Sequence, residues 1–487
     1  MKRIHLPLSS SIATHIQARF AVILTLALVA APGSATPSGT IGGADAHEVP
    51  IGEIFASDTL GAFAEAFDVP TTLAQALMRS GPAIRLEGFP VGPGARGAVA
   101  LEPFEVYAPG ARLLAVDEDG ERQIPRSALR HFLGHVANDP ETRIGLSLDP
   151  ETGTLRGLIS GPAGEVQLLP PDASAGRHRL EHTDAALAVH GLQLATECAS
   201  DHLPLPDTMD DLLVRAPGAS AAPAGQGELG IVPTHSATIA VDTDAELLDK
   251  KFSNNTTAAS NWLASLFTQM NVAYERDVGL TLLLGDSILR TGSPPYTSDP
   301  YNVTGSPASS AHLNEFGSFW SSTMGGVDRV LAMLLSGKSS SNNSASGIAW
   351  VDGYCETQNT GGGYSVTQVF IANFSSATIV AHELGHNFGS PHTHCYSPPV
   401  DQCFNAEAGC YSGTVSCPGG PGTTMSYCNF GPPSGAACGQ NRLEFHPTVV
   451  SLFDSFIATH TPGCVELLDT AEIFADGFES GDTSGWT

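Results

Sequence analysis

The spacing of apolar positions along the chain changes character several times. Residues 20–31 form an apolar run interrupted only by Thr25, with Lys2, Arg3 and Arg19 ahead of it and Gly33, Ser34 and Ala35 behind. A basic start, a short apolar stretch and small residues predict a signal peptide over 1–35, cleaved after Ala35. The run is shorter than the roughly 20 residues that span a bilayer, and no later stretch is long enough, so the mature chain is expected to have no membrane span. Residues 36–215 then carry short alternating stretches between turns. Positions 112–116 and 164–169 read as strands, and 117–130 is one charged stretch. Residues 216–230, APGASAAPAGQGELG, are a linker by composition.

Beyond the linker the pattern predicts mixed α/β structure. Strands are expected at 237–241, 280–284, 330–335, 347–351 and 364–371. Helical spacing runs over 245–270, where Trp262, Leu263, Leu266 and Phe267 share a face, and over 311–324, about 375–388 and 449–459. Strands alternating with helices imply a largely parallel sheet with crossover helices. At 487 residues two or three domains are expected.

Composition narrows the partners. A net charge of −28 would repel nucleic acid and anionic membrane surfaces, so neither is an expected partner. Of nine cysteines, Cys198 stands alone in the first half and eight follow from Cys355 to Cys464. The even set suits a disulfide-bonded domain in an oxidising compartment, and Cys198 is left unpaired by parity. Gly225, Gly227 and Gly230 match a dinucleotide fingerprint. No strand enters the string and no periodic helix leaves it, so it is assigned to the linker.

The chemistry concentrates at His382-Glu383-Leu-Gly-His386-Asn-Phe-Gly389-Ser-Pro-His392. On a helix, His382 and His386 project from one face a turn apart, where both imidazoles can reach one Zn²⁺ at about 2.0–2.1 Å. Glu383 falls beside the open coordination position, as a general base should. Gly389 permits the turn that brings His392 back as third ligand. Three histidines leave a fourth place for water, the arrangement of a catalytic zinc site. His394 offers a competing imidazole. The spacing from Gly389 favours His392, leaving His394 on the surface or supporting the ligands from behind.

The string HExxHxxGxxH resembles that of the metzincin zinc peptidases, and AHELGHNFGSPH is similar to the adamalysin/reprolysin group that includes the ADAM proteases. The resemblance covers residues 233–465. It implies an α/β (α+β) zincin domain: a twisted, mostly parallel five-stranded sheet with an antiparallel edge strand, an active-site helix and a Cys-rich C-terminal subdomain. A separate β-rich prodomain is expected before it, over 36–215. The resemblance also implies a Met-turn, which Met425 supplies 33 residues after His392. Tyr427, two residues on, departs from most reprolysins and resembles the tyrosine of astacins and serralysins, which assists at the oxyanion. Gly347, Ile348, Ala349 and Trp350 correspond to the edge strand that pairs with an extended peptide substrate. By the same analogy Cys355 pairs with Cys464; the other six cysteines could pair in 15 ways.

These readings converge on a secreted zinc metalloendopeptidase acting on proteins or peptides, extracellular or retained in the periplasm or at the cell surface. The resemblance allows a structural Ca²⁺, although no residue pattern argues for one. The N-terminal half is expected to be an inhibitory prodomain, with Cys198 as a cysteine switch on the zinc and activation cleavage within 216–232. An acidic, glycine-rich tail over 466–487 is similar to a terminal motif of secreted bacterial proteins. The competing reading is a binding protein on a zincin scaffold, which the presence of Glu383 disfavours.

Overall fold

The structure is a computed structural model that describes residues 47–49, 57–59, 64–69, 71–79, 83–171, 176–183, 197–203, 233–339, 345–369 and 376–468. The expected signal peptide, the linker with its glycine string and residues 469–487 of the tail lie outside the described residues.

Among the described residues the N-terminal half is built of β1 (His47–Val49), β2 (Ser57–Thr59), β3 (Ala64–Phe67), α1 (Thr71–Arg79), β4 (Ile84–Gly92), β5 (Ala95–Phe104), β6 (Leu113–Asp117) and β7 (Gly120–Gln123). It continues with β8 (Arg130–Val136), β9 (Asp139–Leu148), β10 (Leu155–Gly161), β11 (Gly164–Leu169), β12 (His178–His182) and the two-residue β13 (Glu197–Cys198). Ten of these strands form one sheet in the order β1-β4-β5-β8-β9-β10-β11-β12-β3-β2, antiparallel except where β1 meets β4. Its inner face packs Phe89, Phe132, Leu146 and Leu168 into a core of its own.

The C-terminal half contains β14 (His235–Thr243), α2 (Ala245–Phe252), α3 (Thr256–Ala273), β15 (Leu280–Arg290), α4 (Ser310–Thr323), β16 (Leu331–Ser336), β17 (Ala345–Ala349), β18 (Tyr364–Gln368), α5 (Ala377–Asn387), α6 (Pro447–His460) and β19 (Glu466–Leu467). The second sheet is nine-stranded, ordered β13-β17-β18-β16-β14-β15-β6-β7, with β19 pairing the start of β14. Its central run is parallel, and β17 is antiparallel to β18. Parallel strands are covered on both faces, which is why β15 and β16 read as near-continuous apolar runs. Leu313, Phe316 and Trp320 of α4 cover one face, with Ala240, Leu334 and Val366. Helices α3, α5 and α6 cover the other, with Ile239, Leu282 and Met333.

Two expectations from periodicity are corrected. The helix expected over 245–270 is two helices. Ser253 and Asn254 both take left-handed backbone (φ 50° and 59°), and the Asn255 side chain then caps α3 by accepting from Ala258 N–H. Apolar spacing runs through this break because both helices face the same core, so periodicity alone hides it. The strand expected at 112–116 does form, shifted by one residue, but β6 leaves the N-terminal sheet and joins β15 of the second. Alternation reports a half-buried strand and not which sheet it enters.

The segment after α5 has little regular structure. Disulfides Cys395–Cys410, Cys403–Cys428 and Cys417–Cys438 hold it together, and Cys355–Cys464 ties the end of α6 to the loop after β17. Among the described residues no helix is long and apolar enough to cross a membrane.

Candidate metal centre

Helix α5, from Ala377 to Asn387, is buried at every position except the partly exposed Thr378. It runs beneath β17 and β18 and ends where Phe388 N–H reaches back to Leu384 O. Gly389 follows with φ 100°, and a Cβ there would lie 2.2 Å from Phe456 Cε2. Glycine is therefore required twice, by backbone conformation and by space. The turn it makes returns the chain so that His392 faces the two helix histidines.

Three imidazoles converge. His386 Nε2 stands 3.1 Å from His382 Nε2 and 3.1 Å from His392 Nε2. Each ring spends its other nitrogen on an acceptor: His382 Nδ1 on Thr424 O at 2.6 Å, His386 Nδ1 on Ser390 O at 2.7 Å, and His392 Nδ1 on Glu407 Oε2 at 2.7 Å. These acceptors place a proton on each Nδ1 and leave the three Nε2 atoms turned on one another. Burial, with His392 as neighbour, holds His382 neutral by moving its pKa down to about 3, and His386 is driven down for the same reasons. Three Nε2 atoms at this spacing, each ring's Nδ1 already engaged, suit a shared cation. The separation is close to that of ligands at about 2.0–2.1 Å from one tetrahedral Zn²⁺, so the residues fit zinc.

Glu383 lies beside this cluster with no exposure to solvent. Its Oε1 has no hydrogen-bond partner among the described residues, and burial raises its pKa. The carboxylate rests against β17, expected as the edge strand but covered here by β13: a Cβ on Gly347 would come within 2.1 Å of Oε1. Ile348 and Ala349 continue that strand, fully buried, and Trp350 follows it with partial exposure. Met425 is fully buried under the helix, its Sδ 2.5 Å from where a Cβ on Gly385 would stand, while Thr424 O orients His382.

The fourth member of the cluster is Cys198. Its Sγ belongs with the nitrogens of His382, His386 and His392 to a set of atoms all within 4.8 Å of one another. It is buried and is the one free cysteine among the described residues. Sγ also lies 3.2 Å from Glu383 Oε2 and 3.0 Å from Ser200 Oγ. Burial, then the nearby Glu383 charge, pushes the thiol up from its ordinary value; a divalent cation at the histidines acts in the opposite sense and favours thiolate. The strand carrying it, β13, pairs in parallel with β17, Cys198 opposite Gly347. Tyr427 is buried against the same segment. Its hydroxyl donates to Cys198 O at 2.6 Å and accepts from Cys198 N–H at 3.1 Å, and its ring lies 4.1 Å from that of His392.

Sequence reasoning missed two participants. Glu407 accepts from His392 and from His394 Nε2 at 2.8 Å, so the fully buried His394 braces His392 from behind through Glu407 and is not a surface residue. Ser200 Oγ donates to Ala349 O and accepts from Ala349 N–H, both at 2.9 Å, completing a pairing that β13 is too short to make. Glu407 sits in an irregular loop whose path the Cys395–Cys410 disulfide directs, and no spacing rule reports such a residue.

A helix bearing two histidines and a glutamate, a glycine turn to a third histidine and a methionine floor have the residue types and spacing that suit a zinc-dependent peptidase centre. Comparison agrees. Residues 234–436 match the family described as Reprolysin_5, Metallo-peptidase family M12. Over those residues the chain is similar to that family, and it is a zinc metalloendopeptidase. Among solved structures it is similar to metalloproteinase-II from Bacteroides fragilis, at 12% identity and a TM-score of 0.32, over 67% of this chain and 90% of that one. No curated protein matches the chain.

Proposed function

We propose that this chain is a secreted endopeptidase made as a zymogen, with His382, His386 and His392 holding Zn²⁺, Glu383 as general base and Cys198 closing the fourth position. The observation that supports this reading most is the meeting of the Cys198 thiol with the three bare imidazole nitrogens. When bound, Zn²⁺ supplies Lewis acidity toward the scissile carbonyl and makes water nucleophilic near neutral pH.

The chain's own residues do the rest. Glu383, held against Gly347 with Oε1 unpartnered among the described residues, accepts the proton of the attacking water and returns it to the leaving amine. A peptide substrate lies extended along β17, hydrogen-bonded through main-chain groups at Gly347 and Ala349. Tyr427, freed from Cys198, has a hydroxyl beside the ligands and donates toward the developing oxyanion. A substrate is expected to run antiparallel to the edge strand, whereas β13 runs parallel to it. A segment threaded in the reverse sense occupies the cleft without presenting a peptide bond in the productive direction. With four disulfides among the described residues, an oxidising compartment outside the cytoplasm is the proposed location.

Casein hydrolysis by the purified chain tests this. The Cys198→Ser variant should be active without processing, and Glu383→Ala should retain one zinc per chain while losing at least about 10³-fold in kcat. A Cys198→Ser protein as latent as the parent would sink the switch, and a fully active Glu383→Ala would sink the general base.

A further inference from the structure

The N-terminal half meets the catalytic half in two unlike ways. One is the strap at β13, a two-residue strand held by hydrogen bonds to Tyr427 and Ala349 and by the packing of Cys198 against Phe404 and Tyr427. The other is broad and apolar. Val106, Tyr107, Leu113 and Leu158 belong to the same buried cluster as Phe267, Leu282 and Leu384 of the catalytic half. Strand β6 pairs with β15 from Leu113 opposite Ser287 to Val116 opposite Arg290. Ladder bonds continue at both ends: Ala108 N–H to Leu284 O, Leu284 N–H to Val106 O, and Thr291 N–H to Val116 O. Arg112 clasps Asp286 with its backbone N–H and two guanidinium nitrogens at 2.6–3.0 Å.

Helix α3 carries a second, independent sign. Its 18 residues contain no charged side chain, and Trp262 to Ala273 are all buried, more than three turns with no face to solvent. An isolated reprolysin-like domain would leave one side of this helix in water, and surface helices there carry charge. Instead β9 lies against it so closely that a Cβ on Gly145 would stand 2.8 Å from Thr268 O. His131 Nδ1 is 2.8 Å from Thr268 Oγ1, and Ser127 Oγ donates to Asn261 Oδ1 at 2.7 Å. Farther along, Glu165 accepts from Leu443 N–H, four positions from the first residue of α6. The described residues from 47 to 468 accordingly fall in one compact unit, Ala46–Thr487.

Discarding the N-terminal half would bare the apolar edge of β15 and an uncharged helix, two surfaces that drive aggregation. Building on the zymogen reading, we infer that the N-terminal module (residues 83–171) is a permanent, non-covalently held subunit of the active enzyme, and that activation displaces only the strap carrying Cys198. The module is thus both a partner that completes the catalytic sheet and the anchor of the inhibitory strap.

The test uses the full chain with one engineered protease site inside 216–232, in the Glu383→Ala background so that no self-digestion intervenes. After the cut, size-exclusion chromatography with light scattering should find both fragments together at the mass of the uncut chain. A catalytic fragment eluting alone as a folded monomer, or as a dimer of itself, would overturn the inference. Gly145→Val places a side chain against α3 and should lower the urea concentration at which the fragments part; an unchanged midpoint counts against the interface. In a third arm the same cut is made in Cys198→Ser with Glu383 intact, and peptide hydrolysis is expected in the fractions that contain both fragments. Activity confined to fractions without the N-terminal fragment would overturn retention. Co-elution with no activity in any fraction would instead refute the latency reading and leave retention standing.

Discussion

The ligand set shows how much a single side chain behind the metal centre decides. Of the three histidines proposed to hold zinc, His392 is the least constrained by its backbone, since it follows a glycine turn and lies outside the helix. What orients it is Glu407, which fixes the proton on Nδ1 and is itself held by His394. Removing the carboxylate leaves His392 free to change tautomer and swing. Glu407→Ala is therefore expected to weaken zinc affinity about 10–100-fold, with Glu407→Gln recovering part of it. Competition titration against a chromogenic chelator measures this without reference to activity, and an unchanged affinity would show that His392 is oriented by packing alone. His382, Glu383, His386, Gly389 and His392 were all legible in the sequence, because a helix turns a spacing of four into one face. Glu407 was not legible, because its approach depends on a disulfide-directed loop with no period to read.

At the scale of elements, α5 and its terminating turn form the unit on which the site is built. Gly389 holds φ 100° with Phe456 of α6 against its Cα, so a side chain here strains the backbone and pushes α6 away. Gly389→Ala should cost on the order of 1–3 kcal/mol from backbone strain alone, read as a lower urea midpoint together with weaker zinc binding. A variant as stable as the parent would mean that α6 yields freely. The contact of β8 with α3 has its own pH signature. Burial first, and the Arg156 charge second, bring the His131 pKa down from 6.5 to about 4. Because the folded value is the lower one, the unfolded chain binds more protons between pH 6.5 and 4, and stability is lost as pH falls through that window. Relative to His131→Gln, the parent should lose up to about 3 kcal/mol between pH 6.5 and 4. Thermal melts of the two proteins at matched pH check this, and parallel curves would contradict it. Element type was largely readable from period and length. The break between α2 and α3 was not, since two left-handed residues interrupt the backbone without interrupting the apolar face.

For the whole molecule, the two halves share one apolar cluster and one nine-stranded sheet. Unfolding in urea is expected to be a single cooperative transition followed equally by intrinsic fluorescence and by circular dichroism. Two resolved transitions would mean that the shared core contributes little. Dialysis against a chelator should abolish hydrolysis and zinc should restore it, while the fold persists on its four described disulfides.

The sequence by itself determined the chemistry: which side chains could hold zinc, which could move a proton, and that Cys198 had no cysteine to pair with. These are local properties, set by residue type and by helical or turn geometry over a dozen positions. Only the tertiary structure decided which distant segments meet. It put Cys198 beside histidines nearly 200 residues away, set β13 parallel to the edge strand, and sent β6 out of its own half of the chain into the catalytic sheet. Such contacts depend on the complementarity of whole surfaces, and alternation along a strand carries no record of the partner it will find.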